Sequence, residues 1–299
     1  MQNKILIIGF GNMGMAHLES FIKKKFIIDI VENKNIKKIN DLKKSKFFHK
    51  NITIFSKIPK FQKYLLTISA TQSRERFILI KEFLASNKTK YLLLEKFCFL
   101  KLNDFEEFNK NLKKKTKTFV NSWGYILAKK TGIKKLKKFN ITCQIEEGSL
   151  LANITHIMHV FAYFNNKINI HKIYETKFKV IKSTRRKTYN EILGTIKIED
   201  INKNTLTITT KKKIKDTMIF TIRQTVPRIS YKFIIKKNHQ VSYYKSNFKF
   251  LEIKFPFSKV TSQLFVKKCE NKNFDYMPSF ENDYKLSTSL LKKFKVKIP

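Results

Sequence analysis

Residues 9–14 read Gly9-Phe10-Gly11-Asn12-Met13-Gly14, and no other stretch limits the possible folds so sharply. The apolar run Lys4–Ile8 precedes it and reads as a strand. Met13–Lys25 follows it and reads as a helix. In that context three glycines at this spacing have separate tasks. Gly9 makes the tight turn, Gly11 lets the backbone approach a pyrophosphate, and Gly14 lets the helix pack on the strand. The helix start then offers N–H groups and a partial positive charge to the anion. The chain has only seven glycines, which argues against a chance cluster. The turn therefore predicts a dinucleotide site that includes Phe10, Asn12 and Met13.

The following residues continue the pattern. Strands are expected at Phe26–Val31, Tyr64–Ser69, Tyr91–Leu94 and Phe119–Asn121. Helices are expected at Arg74–Ser86 and Asn103–Lys115, the latter capped by Asn103 with Glu106 three positions on. Mostly apolar strands alternating with helices imply a parallel sheet covered on both faces. Glu32 follows the second strand, 18 residues after Gly14, where an acid would bond the adenosine ribose and favour NAD over NADP. The alternative is an ordinary surface Glu at a strand end, and Lys34 and Lys37 nearby leave NADP possible. Ala70 and Thr71, after the strand ending at Ser69, complete the expected cofactor-binding set together with Glu95.

Beyond residue 125 the pattern changes. Helices at Ile126–Lys138 and Leu150–Phe164 flank a strand at Phe139–Ile145. Longer alternating runs follow at Ile173–Ile181, Tyr189–Ile198, Thr205–Thr210, Met218–Gln224, Ile229–Ile235 and Gln240–Tyr244. Helices near Val260–Cys269 and at Phe280–Phe294 close the chain. The expected fold class is α/β: a doubly wound Rossmann domain over 1–122, then an α+β domain over 123–299 with an open, largely antiparallel sheet. The long strands of that sheet suggest a homo-oligomer, dimer or tetramer, joined through its second face.

Composition constrains function less than it first suggests. The net charge of +41 points towards nucleic acid. Only six of the 63 basic residues are arginines, however, and the lysines run from end to end beside abundant Ile, Asn and Phe. Arginine is the usual bidentate reader of guanine and phosphate. Biased coding explains the lysines better than specific nucleic-acid binding does. No apolar run reaches the length of a membrane span. Met1–Ile8 reads as a strand and not a signal peptide. Cys98, Cys143 and Cys269, an odd number without CxxC spacing, suggest neither a metal site nor a disulfide framework, so a reducing, cytoplasmic setting is expected.

A second landmark carries a resemblance. Glu95-Lys96 ends a strand, Asn121 ends the next, and Gly148-Ser149 leads to Asn153, His156 and Phe161. With the glycine turn, these resemble the glucose–fructose oxidoreductase / inositol dehydrogenase / MocA family over nearly the whole chain. The stretch Ser183–Gly194, with Arg185, Arg186, Glu191 and Gly194, resembles the branch tied to surface-polysaccharide sugars. So does Thr261-Ser262-Gln263-Leu264 with Pro278. The resemblance implies an oxidoreductase passing hydride between a nicotinamide and a carbinol or keto carbon of a sugar. Lys96 would contact the substrate hydroxyl, His156 would relay its proton, and Asn153 would orient it. The chain departs from the pattern at three places. Phe97 stands where the family has Pro. Ala152 and His159 stand where the inositol dehydrogenase type has Asp. These departures motivate an alternative, a dinucleotide-binding protein of the same fold with decayed or altered catalysis.

Overall fold

The structure is a computed structural model. It describes all residues except 1–2, 23–25, 134–135, 166–169, 183–189, 213–215, 226, 256–260, 266, 268–276 and 295–299. Arg185, Arg186 and Cys269 lie outside the described residues. The chain divides into two compact units, one of residues 1–123 and 257–284, the other of 124–256 and 285–299. The sequence pattern gave no sign that 257–284 return to the first unit.

The first unit holds six strands: β1 (Lys4–Ile8), β2 (Ile27–Val31), β3 (Ile52–Phe55), β4 (Lys63–Ser69), β5 (Lys88–Leu94) and β6 (Lys117–Val120). They lie in the order β3-β2-β1-β4-β5-β6, and every neighbouring pair is parallel. This is the doubly wound dinucleotide-fold order, whose ligand crevice opens at the strand carboxyl ends where β1 and β4 lie side by side. Helices cover it: α1 (Asn12–Phe21), α2 (Ile36–Lys44), α3 (Ser73–Ser86) and α4 (Leu102–Glu107). Burial on both faces explains strands such as KILII, in which Ile5 to Ile8 are all buried.

Two helices of this unit differ from the sequence reading for physical reasons. Helix α2 and strand β3 were not legible. Only Ile39 and Leu42 of α2 are buried, and its lysines hide so thin an apolar stripe. The helix expected over Asn103–Lys115 is α4 followed by a π-helical turn (Phe108–Leu112) and a 3-10 turn (Lys113–Lys115). Lys101 is its N-cap and no side chain caps it, so Asn103 lies inside the helix. The wider turn accompanies an aromatic cluster, in which Phe108 meets Phe280 at 4.6 Å and Phe99 meets Phe105 at 5.1 Å between ring centroids.

The second unit is built on an eight-stranded sheet. Its strands are β7 (Phe139–Glu146), β8 (Ile170–Lys182), β9 (Asn190–Asp200), β10 (Thr205–Lys211), β11 (Met218–Gln224), β12 (Ile229–Ile235), β13 (Gln240–Lys245) and β14 (Phe248–Lys254). Their order is β14-β13-β12-β11-β7-β10-β9-β8, antiparallel except for the parallel pair of β7 and β10. Ile141, Cys143, Leu206, Ile208 and Phe220 fill one face. Here lie α5 (Trp123–Lys130), which begins in the first unit, and α6 (Leu150–Phe164). Helix α5 ends earlier than the expected Lys138, before Gly132 at φ +68°, in the left-handed region where glycine stops helices. Strand β14 went unread because it is an edge whose residues are all exposed or half-buried. The last helix, α7 (Phe280–Phe294), has the expected bounds.

Candidate active site

The glycine turn joins β1 to α1. Gly9 sits at φ +91°, and a Cβ there would lie 2.8 Å from the Thr71 side chain. A Cβ on Gly14 would overlap the Gly9 carbonyl oxygen, so the helix starts directly against the turn. A Cβ on Gly11 would meet no protein atom within 4 Å. The three glycines thus differ: two are demanded by the protein's own packing, and the third faces open space. Phe10 is fully buried beneath the turn and Met13 is partly exposed. The Asn12 side-chain oxygen accepts from Lys38 Nζ.

Glu32, at the end of β2, reaches back to this turn. Its Oε2 accepts the Phe10 amide at 2.6 Å and its Oε1 accepts the Lys34 amide at 2.7 Å. Burial raises the carboxyl's pKa, but these bonds and two from Asn35 outweigh it and leave it below the ordinary value. The charge is therefore held beside the turn. Ala70 and Thr71 follow β4, with the Ala70 amide on Ile8 O at 2.8 Å. Gly9, Glu32, Ala70 and Thr71 thus meet at the carboxyl ends of β1, β2 and β4.

A second group lies one strand along. Glu95, after β5, is a buried carboxylate. Its Oε1 accepts from Asn121 Nδ2 at 2.6 Å and pairs with His17 Nε2 at 2.8 Å. An ionised carboxylate only accepts, so Nε2–H donates. On a neutral ring Nδ1 is then the acceptor for the Ser262 hydroxyl, its partner on the returning segment. Burial pushes the Glu95 carboxyl up, but His17, Asn121 and the nearby Arg76 charge bring it below its ordinary value. Lys96, the next residue, is half-buried. Sequence reasoning did not single out His17 or Arg76. A usable signal for His17 was a histidine, one of only six, one turn past the last glycine on the phosphate helix.

In the second unit, α6 carries Asn153 and His156. Asn153 Nδ2 donates to Ser149 O at 2.8 Å, and His156 is buried to 4% exposure. Glu191 Oε1, from β9, accepts the Leu151 amide at 2.7 Å and so satisfies one of the donors at the helix start. Gly124 of α5 packs so closely that a Cβ there would overlap the His156 carbonyl oxygen. Ala152 is exposed and His159 fully buried.

No family model matches the chain, and no curated protein matches it. Solved structures do. The transcriptional regulator Gal80p of Kluyveromyces lactis aligns over 98% of this chain and 91% of its own, with TM-score 0.68 and 12% identity. Biliverdin reductase of Synechocystis, solved with biliverdin and NADP+, aligns over 96% and 97% with TM-score 0.67 and 12% identity. UDP-N-acetylglucosamine 3-dehydrogenase of Acidithiobacillus ferrooxidans aligns over 99% and 97% with TM-score 0.62 and 7% identity. At these identities the likeness is one of fold. The chain has the two-part fold of the glucose–fructose oxidoreductase / inositol dehydrogenase / MocA dehydrogenases, with a Rossmann sheet followed by an open, largely antiparallel sheet. Among the described residues no helix is long and apolar enough to cross a membrane.

Proposed function

We propose that the chain is a member of that family and an NAD(P)-dependent oxidoreductase acting on a CH–OH or C=O group of a sugar or sugar derivative. The observation that carries the reading is the turn at Gly11. It lies at the crossover of a 3-2-1-4-5-6 parallel sheet, open on the side a pyrophosphate would fill, at the start of a ten-residue helix. Gly9, Phe10, Gly11, Asn12, Met13, Gly14, Ala70 and Thr71 would hold the dinucleotide, with Glu95 bordering the nicotinamide end. Glu32, charged and anchored beside the turn, would meet the adenosine ribose and favour NAD. When bound, the nicotinamide supplies the hydride chemistry.

The protein's part is position and proton handling. Lys96 would hold the substrate hydroxyl and take up or return its proton. His156 would relay that proton, and Asn153 would orient the hydroxyl. The solved neighbours that act on a nucleotide sugar or carry NADP+ support this reading. A setting in the cytoplasm agrees with two buried cysteines, Cys98 and Cys143, that form no disulfide. We assign the sugar to surface-polysaccharide metabolism on the resemblance of the Ser183–Gly194 stretch and of Thr261–Leu264 with Pro278.

The test is turnover with NAD+ or NADH on a panel of free and nucleotide-linked sugars. Lys96→Met should leave NADH affinity nearly intact and lower kcat by roughly 10²–10⁴-fold, the range for a positioned acid–base group. Normal turnover in that variant would remove Lys96 from the chemistry. A second reading, cofactor binding without turnover, is favoured by Ala152, an exposed side chain without acid or base where the inositol dehydrogenase type carries Asp. NADH binding with no turnover on any sugar would establish it.

A further inference from the structure

Arg76 is a positive charge in the interior, 2% exposed, on the first turns of α3. Among the described residues it makes no salt bridge to a carboxylate. Its Nη1 donates to the carbonyl oxygens of Glu95 at 2.5 Å and Cys98 at 3.1 Å, and also to that of Phe97. Its Nη2 donates to Thr71 O at 2.5 Å. These four carbonyls belong to two loops. Three come from the segment that leaves β5 and bears Lys96. The fourth comes from the turn after β4, against which Gly9 packs. Guanidinium is planar and presents its donors in a fixed fork, so bonding several carbonyls fixes their relative positions. The two hydrogens of Nη1 are shared among the three carbonyls of the Lys96 segment, while Nη2 alone reaches Thr71; a lysine, with a single nitrogen, cannot join the two loops in this way. Burying a cation is costly, and bonding it to neutral carbonyls recovers only part of that cost. Glu95 and Asp283 lie near enough to favour the charge. Such a feature is out of proportion to holding one loop of no function.

We propose that Arg76 is a positioning residue for Lys96: by gripping the carbonyls on both sides of it, and that of Thr71, it sets where the lysine stands relative to the glycine turn. The inference rests on the role given to Lys96 above.

The segment contains its own reporter. Cys98 is fully buried beside the grip, and Cys143 is buried on β7 in the other unit. Iodoacetamide labelling, followed residue by residue by peptide mass spectrometry, separates local release from general unfolding. In Arg76→Lys, Cys98 should be alkylated at least about tenfold faster while Cys143 stays within about twofold. NADH affinity should stay within about threefold. On a sugar turned over by the wild type, kcat should fall about tenfold or more with KM little changed. In Arg76→Ala, millimolar methylguanidine should slow Cys98 labelling again and restore part of kcat. An unchanged Cys98 rate overturns the proposal, as does a parallel rise at both cysteines, which would make Arg76 a general stabiliser. Cys98 released with kcat unchanged overturns it too, provided that Lys96→Met does lower kcat. If Lys96→Met is itself silent, or no sugar is turned over, the fault lies in the proposed function. The labelling and its reversal by methylguanidine then still decide whether Arg76 is the grip.

Discussion

The two sheets bury their strands in opposite ways. In the six-stranded sheet both faces are covered, so a strand such as β1 is apolar and buried in all but its first residue, Lys4. The candidate site is built from the strand ends, where Gly9, Glu32, Thr71 and Glu95 lie. In the eight-stranded sheet one face is apolar and the other is a polar surface. Lys197, Thr207, Thr142, Thr221 and Lys232 form a row across five strands, each exposed or half-buried. An antiparallel sheet can face water in this way. The motive for a homo-oligomer changes accordingly: if two copies pair through this face, the contact is a polar, threonine-rich one. The comparison teaches where substitutions should hurt. In the first unit the sensitive points are the ends of strands; in the second they are the helix contacts behind the sheet.

The largest effects should come from glycines that touch backbone, one in each unit. Gly14→Ala would push a methyl into the Gly9 carbonyl, and Gly124→Ala would push one into that of His156. Each should cost about 3 kcal/mol or more, the upper end for overpacking, read by urea denaturation. If either variant is as stable as the wild type, the close approach that distinguishes these glycines from Gly11 is wrong.

A smaller effect is expected at Glu95. Glu95→Gln removes a charge-assisted acceptor from His17 and Asn121, worth about 1–3 kcal/mol. The pH dependence is the sharper sign. The folded carboxyl is held below its ordinary value of 4.5, so the unfolded chain takes up its proton first as pH falls. The stabilisation from Glu95 is complete above 4.5 and is lost as pH falls through the folded value. Unfolding free energy should decline less steeply below 4.5 in Glu95→Gln than in the wild type. Equal slopes would mean that Glu95 is not held as an ion.

The smallest effect should come from the threonine row. Thr142→Val on the open face should change stability by no more than about 0.5 kcal/mol, as surface changes do. A larger change, together with a shift in mass by light scattering at moderate salt, would show that a second copy covers this face.

How much of this was legible depended on the kind of interaction. The parallel sheet was readable because its strands are continuous apolar runs, and the glycine turn because three glycines must sit at fixed places. Strands β9 to β13 were readable from their alternation of apolar and polar residues, and α7 from its helical stripe. The buried network was not. His17 and Asn121 meet on Glu95, and Ser262 meets His17 from 245 residues away; no local pattern records such a meeting. Arg76 was hidden for a different reason: its partners are backbone carbonyls, which every residue has. Helix α2 failed for lack of burial, whereas the helix over 103–115 was read and only its cap was misplaced, at Asn103 where the N-cap is Lys101.

The central claim is that the open side of Gly11 receives a dinucleotide. It is tested most directly by titrating NADH into the wild type and into Gly11→Val, following the cofactor's fluorescence alongside the thermal stability of each protein. The account predicts saturable binding in the wild type, tighter for NADH than for NADPH because of Glu32. It predicts loss of binding by about a hundredfold or more in Gly11→Val with stability nearly unchanged, because a Cβ at this position meets no protein atom within 4 Å. A Gly11→Val protein that is stable and binds NADH as the wild type does would contradict it.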